Sequence, residues 1–129
     1  MEKESFLEIN KEQFQKFMEL PMDTPVVMLN LLKFKDSVPE TGLTGALAYK
    51  EYMKKATPFF AKAGAKVLYM GKPQTILIGP EDEGLWDKIL LVKYDTIAGF
   101  LGMVKAEGYP SQLRRQALKD SRLIHCNWI

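Results

Sequence analysis

The run Val26-Val27-Met28-Leu29-Asn30-Leu31-Leu32-Lys33-Phe34 constrains the fold of this chain more than any other feature. Pro25 precedes it, and Pro39, Gly42 and Gly45 follow it. It is far too short to cross a membrane. It is also too continuously apolar for a strand with one wet face, which would alternate polar and apolar side chains. It reads as an inner strand covered on both faces. Such a strand needs neighbours on both edges and a packed layer on each side.

The rest of the chain supplies most of these. Asn10, with Gln13 three residues on, predicts a helix over 11–20 that carries Phe14, Phe17 and Met18 on one face and stops at Pro21. Thr44 or Gly45 opens a second helix, in which Tyr49, Tyr52, Met53, Ala56, Phe59, Phe60 and Ala63 recur at spacings of three and four. Gly64 is its natural stop, and Pro58 is expected to kink it or divide it after Ala56. Lys66–Met70 and Gln74–Ile78 are strand-like, with a bend at Gly71 and Pro73. Lys88–Tyr94 then returns as the second arm of a hairpin. Asp95 or Thr96 caps a helix bearing Ile97, Phe100, Leu101 and Val104. A further helical piece with Leu113, Ala117 and Leu118 follows Pro110, and Arg122–Trp128 closes the chain as a strand.

The order is a helical extension over 1–24, then strand–helix–strand–strand–helix–strand over 25–129. That is the α+β, ferredoxin-like βαββαβ pattern with an antiparallel sheet. Its helices cover one sheet face only. The first strand is apolar on both, so a second copy of the same sheet is the expected cover, making a homodimer through sheet faces.

Composition narrows the function classes. With 129 residues, 47% hydrophobic and 26% charged, the chain is one domain with ample core material. A net charge of +2 and no block of five like charges argue against nucleic acid. The densest basic stretch, from Lys50 to Lys66, reads as the wet side of the second helix. No basic start leads into an apolar run, so neither a secretory signal nor a membrane span is expected. The single Cys126 fits a reducing compartment, so a cytoplasmic location is expected. His125 and Cys126 are too few to ligate a metal, and as strand neighbours they point to opposite faces. No phosphate loop or nucleophile elbow is present, and no cofactor is expected.

A few residues stand out as site candidates. Asn30 is an amide in the middle of an apolar strand. It either points into a pocket or satisfies nearby backbone. Tyr49, Tyr52 and Tyr109 offer flat apolar bodies with one polar tip, suited to walling a small ligand or to plain core packing. Trp86, followed by Asp87, either rims a pocket or anchors the hairpin turn. Of Arg114 and Arg115, one faces inward, where it can hold a carboxylate or pair with Asp87 or Asp120. His125 is a general base if it faces the pocket, and otherwise a hydrogen-bonded structural residue.

The first-strand run resembles an uncharacterised family of dimeric α+β-barrel proteins. The likeness extends through Tyr49, Tyr52, Gly64, Lys66-Val67, Gly71, Trp86-Asp87, Tyr94, Phe100, Met103, Tyr109, Arg115 and Asp120. The wider superfamily contains cofactor-independent antibiotic-biosynthesis monooxygenases, muconolactone isomerases and haem-degrading oxygenases, besides proteins with no known activity. The resemblance implies the fold strongly and the function weakly. It selects Arg115 as the anion-binding arginine. By likeness to the superfamily's oxygenases, it gives Asn30 a role in orienting substrate. Two functions are therefore expected to compete. One is a small-molecule enzyme, a cofactor-independent monooxygenase or isomerase acting on an aromatic or anionic compound. The other is a non-catalytic homodimeric ligand-binding or stress-related module.

Overall fold

The run that opens the sequence is the inner strand of a four-stranded sheet. β1 (Val26–Phe34) pairs antiparallel with β3 (Lys88–Tyr94) on one edge and with β4 (Leu118–Cys126) on the other. β2 (Lys66–Gly71) adds to the far side of β3, so the order is β2-β3-β1-β4. The ferredoxin-like arrangement expected from the sequence is present. The computed structural model describes residues 4–129.

Helices α1 (Lys11–Met18), α2 (Gly45–Lys62), α3 (Ile97–Val104) and α4 (Ser111–Ala117) accompany the sheet. Three start on side-chain caps: Asn10 accepts from the Gln13 amide at 3.0 Å, Thr44 from Leu47 at 3.2 Å, and Thr96 from Gly99 at 2.9 Å. Each satisfies a backbone donor that the first helical turn cannot.

Alternation along β1 divides its side chains between two environments. Val26, Met28, Asn30 and Leu32 face the helices and are buried. The core beneath the helices falls into two clusters. One gathers Val26, Met28, Val92, Tyr94, Ile97 and Phe100 under α3. The other gathers Leu32, Val38, Tyr49, Tyr52, Ala56 and Leu118 under α2 and α4. Asn30 lies between them on β1. The opposite sheet face carries Leu29, Leu31, Ile89, Leu91 and Ile124, adjacent in register and only partly covered.

Three expectations need correction. Pro58 does not divide α2, which runs unbroken from Gly45 to Lys62. Pro58 and Lys54, whose carbonyl loses its i+4 donor, both lie on the exposed side, where water can replace the lost bond. Residues 74–78 form no strand. The β2–β3 register ends at Gly71↔Ile89, so this segment has no partner, and Leu77 and Ile78 are 90% and 98% exposed. β4 starts four residues earlier than expected, at Leu118. The helical spacing of Leu113, Ala117 and Leu118 stops at Ala117 because Leu118 pairs with Phe34 across a register shift in the β1–β4 ladder.

Candidate functional site

Between the two core clusters lies a cavity of about 510 Å³, roofed by the N-terminal segment. It falls within the size range of small-molecule sites. Asn30 forms part of its floor on the sheet. Tyr49, Tyr52, Tyr94 and Tyr109 wall it, and Arg114 and Arg115 enter from α4. Five residues singled out in the sequence therefore meet in one place: Asn30, Tyr49, Tyr52, Tyr109 and Arg115.

The arginine that reaches the sheet is Arg114, not Arg115. Its Nη2 donates to Asn30 Oδ1 at 3.4 Å. Arg115 instead turns outward to Glu8, 3.8 Å away, and both side chains are well exposed at 41% and 77%. The expected pairing of Arg115 with Asp120 or Asp87 is not made. Arg122 pairs with Asp120 at 2.8 Å, and Asp87 accepts from the Phe34 amide at 2.8 Å. Consecutive positions on the short α4 point about 100° apart, so only one of the two arginines can face the sheet. The sequence did hold that signal, but it could not say which of the two.

Asn30 satisfies its own donors on backbone. Its Nδ2 donates to Met28 O at 3.5 Å and to Leu90 O at 3.4 Å. The amide thus hangs between two strands, and its one outward oxygen faces the guanidinium. It positions Arg114 and leaves no donor for a ligand. Arg114 has five N–H donors, of which Asn30 takes one. Among the described residues it has no carboxylate partner.

Four tyrosines give the cavity its character. Tyr52 and Tyr109 share a hydroxyl–hydroxyl hydrogen bond. Tyr49 and Tyr52 meet edge to face, as do Tyr52 and Tyr109. Burial pushes the Tyr49 phenol up to about 12, although Arg114 pulls it the other way. Burial also raises Tyr52, Tyr94 and Tyr109, again against the pull of Arg114. These phenols stay protonated at neutral pH and act as hydrogen-bond donors, not bases.

Two candidates stand elsewhere. His125 faces the helix side of β4, opposite Met28, but it packs edge-on against Phe17 at 5.0 Å and lines a neighbouring cavity. Trp86 lines neither cavity. It lies beneath the Lys33 and Arg122 cations, 5.4 and 5.1 Å from its ring centre, while Asp87 prolongs the β1 edge. Asp87 thus bonds the end of β1 rather than a turn amide. Sequence reasoning also missed Tyr94. Its alternation with Val92 and Leu90 on β3 was the signal that could have placed it on the helix-facing side.

No group of three His, Cys, Asp or Glu that could hold a metal occurs among the described residues. Nor is any helix there long and apolar enough to cross a membrane.

Comparisons with known proteins place this geometry. No protein-family model matches the sequence, and neither does any curated protein. Solved structures do match. A protein of unknown function from Rhodopseudomonas palustris, RPA0582, is 33% identical over 98% of both chains, with a TM-score of 0.86. The methylated RPA0582 protein matches at 32% identity and TM-score 0.86, over 97% of this chain and 96% of that one. A dimeric protein of unknown function and ferredoxin-like fold from Bacteroides fragilis matches at 12% identity and TM-score 0.53, over 84% of this chain and all of the other. That last likeness speaks to fold alone. The extent and identity of the first make the chain a member of the same family as the Rhodopseudomonas palustris protein of unknown function.

Proposed function

We propose that this protein binds a small organic carboxylate in the cavity between sheet and helices. The observation that carries the reading is Arg114: a guanidinium with no carboxylate partner among the described residues, anchored to the sheet by Asn30 and facing a cavity walled by tyrosines. Its planar fork suits two carboxylate oxygens. The aromatic walls suit an apolar body, and the one proton left free on the Tyr52–Tyr109 hydroxyl pair suits a further oxygen on it. In this reading Arg115 stands at the mouth with Glu8, and Asn30 works through Arg114.

Titration of benzoate into the purified protein and into Arg114→Gln, followed by calorimetry, tests this. Losing a charge-assisted hydrogen bond should weaken binding by about tenfold to a hundredfold. Equal affinity in the two proteins would remove the claim.

The enzymatic reading, a cofactor-independent oxygenase or isomerase, finds support in the phenols. They can donate to an oxygen that gains negative charge during a reaction. His125 is not available to it as a base from the neighbouring cavity, which leaves Glu8 as the carboxylate on the cavity wall. Binding without turnover asks less of the site and is the reading we adopt. We infer as well that two copies pair through their open sheet faces, which the apolar patch of Leu29, Leu31, Ile89, Leu91 and Ile124 supports. Residues 25–129 would be the domain and 1–24 an extension. A cytoplasmic location accords with the lone Cys126.

A further inference from the structure

The tyrosine cavity does not end at Arg114. A second cavity of about 810 Å³ lies beyond it, beneath α1. Glu8, Phe14, Phe100, Arg114 and Leu123 are among the residues that line both, so the two spaces share a wall at the guanidinium. The second space differs in character from the first. In place of tyrosines it has Phe6, Phe17, Leu20 and Met28, with Lys16 and His125 among its polar residues. None of the residues of α1 is buried, although Phe14 and Phe17 turn inward against the core. Phe17 bridges to Phe100 and His125 at 5.9 and 5.0 Å, and the second space opens around that contact.

The segment before α1 is nevertheless held firmly. The Phe6 amide donates to Asp120 Oδ1 at 2.9 Å, and the Phe6 carbonyl accepts from the Ser121 hydroxyl at 2.6 Å. The Arg122 guanidinium stacks on the Phe6 ring at 4.7 Å. The N-terminal segment is thus pinned at one end as a fixed roof, and the space beneath it is part of the fold. A small aromatic acid would occupy the tyrosine chamber and leave this larger, mainly apolar chamber without contacts.

We propose that the ligand is an amphiphilic carboxylate. Its carboxylate sits on Arg114, any oxygen near that end accepts the one proton left free on the Tyr52–Tyr109 pair, and its alkyl chain passes Phe100 and Leu123 into the chamber under α1. This rests on the reading that Arg114 binds a carboxylate, and it names the class. Each methylene moved from water into an apolar chamber strengthens binding by about fourfold.

The test is calorimetric titration of the full chain with straight-chain carboxylates from butanoate to dodecanoate, below their micelle concentrations, with benzoate alongside. The expected result is an affinity that climbs with chain length, leaving dodecanoate at least a hundredfold tighter than benzoate. Arg114→Gln should weaken the whole series. His125→Trp, which fills the chamber from β4, should weaken dodecanoate at least tenfold. Gln13→Trp fills it from α1 and gives the same reading should the β4 variant fail to fold. An affinity that is flat with chain length, while benzoate still depends on Arg114, overturns the alkyl chamber and leaves the carboxylate site standing. Length dependence that both tryptophans leave untouched overturns the placement of the chain. Absence of binding by every carboxylate overturns both.

Discussion

Asn30 is the residue on which the site turns. An amide buried on an apolar strand costs free energy unless its donors and acceptors are met. Here two backbone carbonyls and one guanidinium meet them. Asn30→Ala would remove those side-chain bonds and leave Arg114 without its anchor. We expect a loss of about 1–3 kcal/mol in urea unfolding, together with weaker carboxylate binding. Asn30→Ala with unchanged carboxylate affinity would mean that Arg114 is held by something else. The tyrosines make a prediction about pH. A phenol whose folded pKa lies above the ordinary value of about 10 keeps its proton after the unfolded chain has lost it. Its contribution to stability is complete below pH 10 and is lost as pH climbs through the folded value, about 12 for Tyr49. Stability should therefore fall between pH 10 and 12, and phenolate absorbance of the native protein should lag behind that of the unfolded chain. Coincident curves would contradict the burial of these rings.

The elements meet most tightly where α2 begins. A Cβ on Gly45 would collide with the Lys35 backbone and the Ala117 carbonyl, so the start of α2, the end of β1 and the end of α4 converge on one hydrogen atom. The same convergence sets the position of Arg114, three residues before Ala117. Gly45→Ala should cost about 2 kcal/mol or more of stability, read by thermal unfolding, and should weaken carboxylate binding by shifting α4. These elements were largely legible in the sequence, because caps such as Asn10, Thr44 and Thr96 and the spacing of apolar residues are local signals. What the sequence hid was non-local. Whether Gln74–Ile78 forms a strand depends on whether β3 reaches it, and β3 begins too late. Whether Leu118 continues a helix or starts β4 depends on Phe34 lying opposite. The aromatic and amide residues of the site were visible as types. The selection of Arg114 over Arg115 depended on the orientation of a seven-residue helix, which two adjacent arginines do not reveal.

At the scale of the whole molecule, the two faces of the sheet carry separate tasks. The helix-facing side holds the cavity, with Asn30 dividing the core in two. The other side presents Leu29, Leu31, Ile89, Leu91 and Ile124 in adjacent register. We propose that two copies pair through this patch. Native mass spectrometry should give the mass of two chains, and Leu91→Glu should give one chain with unchanged helical circular dichroism. A wild-type monomer would mean that this face is left to water. The division also predicts that dimer-breaking substitutions leave carboxylate affinity close to wild type, because Arg114 bonds Asn30 on the helix-facing side of the sheet.

The most direct test of the carboxylate site is a crystal structure of the protein soaked with 4-bromobenzoate, with the bromine located by its anomalous signal. The account predicts a bromine peak inside the helix-side cavity and both carboxylate oxygens on the Arg114 guanidinium. A peak on the open sheet face, or an empty cavity at saturating ligand, would contradict it.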